Sequence, residues 1–171
     1  MAVIAILIDD MFEDVEYTTP AKAFREAGHS LVHLGLKKGA EVKGKKEGTV
    51  VAIDLETGSA DPAAFDALFI PGGYSPDRLR AHKEPVVFAR AFMETQKPLF
   101  LICHAPQLLI SARVLEGRKL TGWKSVAVDI KNAGAEYIDA PVVIDGNMVS
   151  SRGPKDLPQF LNTCVEMLSK H

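Results

Sequence analysis

A chain of 171 residues fits one domain and is long enough to bury a sizeable core. Charged residues make up 25 % and the net charge is -2, so no field of one sign argues for nucleic acid or acidic lipid as a partner. No segment has the length of a membrane span and no signal-peptide pattern opens the chain. With only two cysteines, this suggests free thiols in a reducing cytoplasm.

Strand-like and helix-like segments alternate along the whole length. Residues 2–8 form a continuous apolar run, expected of a strand buried on both faces of a parallel sheet. A helix is expected over about 15–27, with Pro20, Ala23, Phe24 and Ala27 on one face and Gly28 as terminator. Residues 30–36 return as a strand. Residues 42–53 read as hairpin material with glycines at 44 and 48, and Lys37, Lys38, Lys43, Lys45 and Lys46 around it read as a solvated cluster broken by Glu41 and Glu47. A third buried strand covers 66–70 and ends in Pro71-Gly72-Gly73.

The second half continues the pattern. A helix is expected over 84–95, a strand over 99–103, a helix over 105–115 and a short helix over 125–133 closed by Gly134. Two strands, 142–144 and 148–150, flank an Asp145-Gly146-Asn147 turn. The last helix carries Leu157, Phe160, Leu161, Cys164, Val165 and Leu168 on one stripe, which assigns Cys164 to packing. Repeated strand–helix alternation with buried strands implies an α/β fold, a three-layer α/β/α sandwich over a mostly parallel sheet, in a single domain spanning 1–171.

In such sheets ligands bind outside the carboxyl ends of the strands. Three strand ends are chemically rich: Asp9, Asp10, Glu13 and Glu16 after the first, Gly72, Gly73, Tyr74 and Asp77 after the third, and Cys103 with His104 after the fourth. Cys103 falls on a strand-to-helix joint, the position of a nucleophile elbow, where a helix N-terminus would favour the thiolate. A buried cysteine acting as a small hydrophobe is the alternative. His104 is the adjacent base, although neighbours on an extended segment point to opposite sides. Glu13 and Glu16, three apart at a helix start, either face the thiol together or complement the helix dipole. Gly72-Gly73 either brings a backbone N–H close enough for an oxyanion hole or is only a turn. No Lys-Ser/Thr follows it, as a phosphate loop would require, and the first strand is not followed by a loop suited to flavin. His29, His33, His82 and His171 are scattered without ligand spacing, so neither a metal nor another cofactor is expected.

Five motifs in order resemble the ThiJ/PfpI superfamily, within it the PfpI-type intracellular proteases and general stress proteins. They are Phe12-Glu13-Asp14-Val15-Glu16, residues 66–73, Ile102-Cys103-His104-Ala105-Pro106-Gln107, Asn132-Ala133-Gly134-Ala135 and residues 143–152. The resemblance runs nearly end to end. It implies a flavodoxin-like fold with Cys103 as nucleophile, His104 as its partner, Glu16 as the acid touching the thiol and Glu13 beside it. It implies a homo-oligomer, dimer or hexamer, in which Asp77 would complete the triad of a neighbouring subunit, one carbon shorter than the glutamate sometimes found there. Ala105 departs from the glycine common after Cys-His, and its Cβ would narrow the cleft or alter the elbow. The absence of a later His-Pro-Glu sets the chain apart from the glutamine amidotransferase relatives. The expected activity is a cysteine-dependent hydrolase on small glyoxal-type carbonyl adducts or short peptides in a stress-protective role. An oligomer-dependent peptidase and a redox sensor or chaperone working through Cys103 oxidation are the alternatives.

Overall fold

The computed structural model describes residues 1–170. Its elements, in chain order, are β1 (Val3–Leu7), α1 (Asp14–Glu26), β2 (Ser30–Gly35), β3 (Glu41–Lys43), β4 (Val50–Ala52), β5 (Leu55–Glu56), β6 (Ala67–Ile70), α2 (Ser75–Leu79), α3 (Lys83–Glu94), β7 (Leu99–Ile102), α4 (Pro106–Ala112), β8 (Lys119–Leu120), α5 (Ala127–Asn132), β9 (Glu136–Tyr137), β10 (Val142–Asp145), β11 (Met148–Ser151) and α6 (Leu157–Ser169). Seven strands form one sheet in the order β10-β11-β7-β6-β1-β2-β5. Every pairing in it is parallel except β10 with β11, a hairpin closed at Gly146, which takes φ 57°.

The apolar runs divide by parity, as the two-residue period of a strand demands. Ile4, Ile6, Phe69, Phe100 and Ile102 face one side, where Tyr17, Ala21 and Phe24 of α1 meet Leu157, Phe160 and Cys164 of α6. Ala5, Leu7, Leu68, Ile70, Leu99 and Leu101 face the other, against Phe88 and Phe92 of α3, Leu108 and Leu109 of α4 and Ile130 of α5. This is the three-layer sandwich. Phe24 sits 5.8 Å from Phe69 and 5.9 Å from Phe100, ring centre to ring centre, so truncating it to alanine would cost about 3–5 kcal/mol.

Several local details differ from the sequence reading. The buried face of α1 is Tyr17, Pro20, Ala21 and Phe24, while Ala27 is exposed, because α1 turns its apolar side toward both the sheet and α6. Helix α4 stops at Ala112, since Arg113 adopts a left-handed conformation with φ 57°. Four short elements, β5, α2, β8 and β9, were not foreseen; each is two to five residues and lacks a measurable period. The β3–β4 hairpin lies outside the main sheet and is drawn against the start of α1. Asp14 does this: its carboxylate accepts the N–H groups of Lys46 and Thr49, both at 3.0 Å.

Candidate active site

β1, β6 and β7 run side by side, so the loops at their carboxyl ends meet. Cys103 sits just past β7 with both backbone groups committed. Its N–H donates to the Ser151 carbonyl at 3.0 Å, and its carbonyl accepts the Trp123 N–H at 2.8 Å. These bonds hold it at φ 61°, a conformation that costs a non-glycine residue on the order of 1 kcal/mol. The left-handed kink removes the adjacency problem of an extended segment. It swings the His104 ring beside the thiol, with Nδ1 3.2 Å from Sγ. His104 Nε2 faces Ser125 Oγ at 3.4 Å, and the ring stacks on Trp123 with 6.3 Å between centres.

Glu16, in the first turn of α1, is fully buried against this kink. Its Oε2 accepts the Gly72 N–H at 3.0 Å, whereas Oε1 has no partner. Burial is the main cause that raises the carboxyl to about 7. Proximity to Glu13 adds to it, and contact with the Cys103 thiol, the Gly72 N–H and Lys45 pull back. Burial also pushes the Cys103 thiol up, and the neighbouring Glu16 adds to it, while the N–H groups of Gly73 and His104 aimed at the sulfur pull it down. The thiolate expected at a helix N-terminus is thus opposed by burial, Cys103 being only 7 % exposed, and by the neighbouring Glu16 carboxyl. Burial and then Lys45 press His104 below the usual histidine range, with Asp77 opposing, which leaves a neutral ring able to take a proton.

Gly72 and Gly73 part company. The Gly72 N–H is committed to Glu16, so it is not a free oxyanion donor; a Cβ at this position would run into the Glu16 and Cys103 side chains. Gly73 takes φ 77° with the Met11–Glu13 backbone against it, and its N–H, with that of His104, faces the sulfur. Glu13 is buried, and its carboxylate pairs with Lys45 at 2.9 Å and Lys46 at 3.1 Å. Two of the five lysines read as solvated thus belong to the site. Asp77 lies exposed on α2 and hydrogen-bonds neither His104 nor Cys103, and among the described residues no carboxylate hydrogen-bonds the His104 ring. Asp9 and Asp10 do structural work instead: Asp9 pairs with Arg78 at 3.2 Å and Asp10 accepts the Lys43 N–H at 2.8 Å. The Ala105 methyl is buried among the core residues, at φ -53°, and does not line the cleft.

Glu13, Glu16, Lys45, Lys46, Gly73, Tyr74, Cys103, His104, Trp123 and Pro154 enclose a cavity of about 420 Å³. Among them Lys45, Lys46, Trp123 and Pro154 were not foreseen, nor was Ser125 behind His104; each comes from a segment distant in sequence and without a motif of its own. Among the described residues, no three His, Cys, Asp or Glu side chains converge as metal ligands, and no helix is long and apolar enough to cross a membrane.

Residues 2–167 match the model of the DJ-1/PfpI family. Protein/nucleic acid deglycase 2 of Escherichia coli is 51 % identical over 166 residues, 96 % of each chain. YraA of Bacillus subtilis, named as a candidate cysteine protease, is 50 % identical over 165 residues, 96 % of this chain and 97 % of its own. General stress protein 18 of the same organism is 49 % identical over 168 residues, 98 % of each. Among solved structures, a two-domain protein of Anabaena variabilis with DJ-1/ThiJ/PfpI-like and ferritin-like domains superposes with a TM-score of 0.96 at 37 % identity, over 99 % of this chain and 48 % of that one, so the chain spans about half its length. With a family match over residues 2–167 and curated relatives about half identical along nearly the whole chain, the chain belongs to the DJ-1/PfpI family.

Proposed function

We propose that this chain is a cysteine-dependent hydrolase of small glyoxal-type carbonyl adducts or short peptides, with a stress-protective role in a reducing cytoplasm. The observation that carries the reading is the kink at Cys103, which gathers a thiol, a base 3.2 Å away and two N–H donors around one point of a small cavity. The thiol proton passes to His104 Nδ1 as sulfur bonds to the carbonyl carbon, and the carbonyl π electrons move onto oxygen. The N–H groups of Gly73 and His104 are the donors available to that oxyanion. In a peptide, as the C–N bond breaks, the amine leaves with the proton from His104, and water then cleaves the thioester and restores the thiol. In a glyoxal-derived carbinolamine the amine leaves the carbinol carbon as the carbinol O–H loses its proton, and the freed aldehyde takes the sulfur as a hemithioacetal. A proton shift from this carbon to the neighbouring carbonyl carbon turns the hemithioacetal into a thioester, and water cleaves it to a hydroxy acid and the thiol. Glu16 governs how readily the sulfur ionises. The names of relatives agree with this chemistry while naming different substrates.

The test is clearance of methylglyoxal-modified amines and cleavage of a peptide panel by wild type and Cys103→Ala, with the mass of the assembly measured alongside. The variant is expected to lose at least about 10³-fold. Equal activity would overturn the reading. If wild type turns nothing over, yet peroxide oxidises Cys103 and protection persists, the chain is a redox sensor.

A specific observation favours the oligomeric peptidase as second reading. Among the described residues His104 Nε2 meets a hydroxyl and no carboxylate, while Asp77 is exposed on a short helix, free to reach another copy. Asp77→Ala would then abolish peptide cleavage in the assembled protein and leave clearance of small adducts intact.

A further inference from the structure

The β3–β4 hairpin carries two ammonium groups to a mouth that holds one carboxylate for them. Its backbone is fixed there independently of the lysine side chains. The Lys45 N–H donates to the Phe12 carbonyl at 3.0 Å, and Phe12 bridges both Gly44 and Gly73. The Lys46 N–H donates to Asp14, whose carboxylate fills the space a Cβ on Gly44 would need. Lys45 Nζ lies against Glu13 and 5.1 Å from the centre of the Tyr74 ring, its side chain 24 % exposed; Lys46 Nζ reaches the other Glu13 oxygen. Lys45 and Lys46 against Glu13 leave one positive charge in excess among these three groups; Asp77, whose charge reaches the His104 side of the mouth, is exposed and screened by water, as is the outer part of Lys46, whose side chain is 67 % exposed. Glu16 remains neutral until pH approaches about 7, and the His104 ring is held neutral by burial and by Lys45. The backbone groups aimed at the sulfur are N–H donors as well.

From this arrangement we infer that Lys45 and Lys46 make the site select carbonyl substrates bearing a carboxylate, such as adducts of free amino acids or peptides with an acidic end, over neutral ones. The inference rests on the reading of Cys103 as nucleophile and deepens it by naming the substrate class. A low-dielectric cleft with unbalanced positive charge concentrates anions and strengthens their capture, and a neutral carbonyl compound gains nothing from it. Lys45 and Lys46 are specificity-determining, since neither touches the sulfur.

The test needs no turnover. Iodoacetate and iodoacetamide have nearly the same shape and both alkylate a thiol, forming S–C as iodide leaves, but only the first is an anion. The rate ratio at Cys103, iodoacetate over iodoacetamide, is measured by mass spectrometry at pH 6, where Glu16 is still protonated, and divided by the same ratio for free cysteine; buried Cys164 is an internal control. Wild type is expected to give a normalised ratio of about 10, falling toward 1 in 0.5 M salt. Lys45→Met and Lys46→Met should each lower it several-fold, and Lys45→Arg should restore it. A wild-type ratio near 1, or one that neither methionine variant changes, overturns the inference. Should Lys45→Met fail to fold, Lys46→Met and the salt series decide alone. A high, lysine-dependent ratio in a protein that clears no carbonyl compound upholds the charge selection and overturns the hydrolase reading instead, so the two failures are distinguishable.

Discussion

The two ends of the central sheet carry cavities of similar size and opposite character. At the amino ends, Met1, Ala2, His29, Asp66, Lys97, Pro98 and Leu168 line about 320 Å³. Polar groups there have partners: His29 Nδ1 accepts the Ala2 N–H at 3.1 Å, Asp66 accepts the Val3 N–H at 2.8 Å, and Lys97 Nζ donates to the carbonyls of Ala63 and Phe65. At the carboxyl ends, a buried carboxyl oxygen lacks a partner, a non-glycine residue sits at φ 61°, and Glu16 is raised to about 7. A cavity with titratable residues is thus not in itself a site. Convergence distinguishes one: a thiol, a histidine ring and a buried carboxyl meet at one point, whereas a left-handed residue alone marks nothing, since Gln96 beside the amino-end cavity takes φ 58° and Arg113 at the end of α4 takes φ 57°.

The contrast can be broken at its costly end first. Glu16 ionises only near 7 in the folded chain, against an ordinary value of 4.5, so its contribution to stability is full below about 4.5 and is lost as pH rises to 7. The loss is roughly 3 kcal/mol. Glu16→Gln cannot ionise, so its stability relative to wild type should climb by about that amount between pH 4.5 and 7 and stay level above. Urea denaturation at three pH values checks this, and a difference independent of pH would remove the claim that this carboxyl is strained.

Asp14 offers a smaller effect beside the same site. Burial pushes its carboxyl up, but the donors of Lys46, Thr49 and Glu47 outweigh it and hold the group down to about 2. Asp14→Asn replaces an acceptor of two N–H groups with a side chain that accepts poorly, and should cost about 2 kcal/mol. The hairpin should also loosen, read as faster amide exchange at Lys46 and Thr49. Protection equal to wild type would mean that the hairpin is held by other contacts.

The smallest effect belongs to the other end. Lys97→Met removes two hydrogen bonds to carbonyls at the sheet's amino edge and should cost about 1 kcal/mol, with the rate of Cys103 alkylation unchanged. A change in that rate would show that the two ends are coupled, and the comparison between them would need to be redrawn.

Much of this was legible before any coordinates. The strands of the parallel sheet declared themselves as runs such as residues 4–8 and 99–102, which must be apolar because helices cover both faces. Helix α6 declared itself by its stripe, and Cys164 with it. The juxtaposition of Glu13, Glu16, Gly73, Cys103 and His104 followed from their places after neighbouring strands. Lys45, Lys46, Trp123 and Ser125 did not, since nothing in a lysine run says whether its side chains meet water or a buried carboxylate 32 or more residues away. Gly72 and Gly73 looked alike as letters, and only the direction of each N–H separated them.

The sequence by itself determined which residues are apolar at which period, and hence the layered α/β architecture and the strand end on which the thiol falls. Those are local properties, set by side-chain chemistry and backbone geometry along the chain. The tertiary structure alone decided the electrostatics of the thiol. A helix terminus read from the sequence argues for an ionised sulfur, yet burial and the Glu16 carboxyl oppose it. The balance depends on which groups, far apart in sequence, are brought within a few ångströms and shielded from water, and that is a property of packing alone.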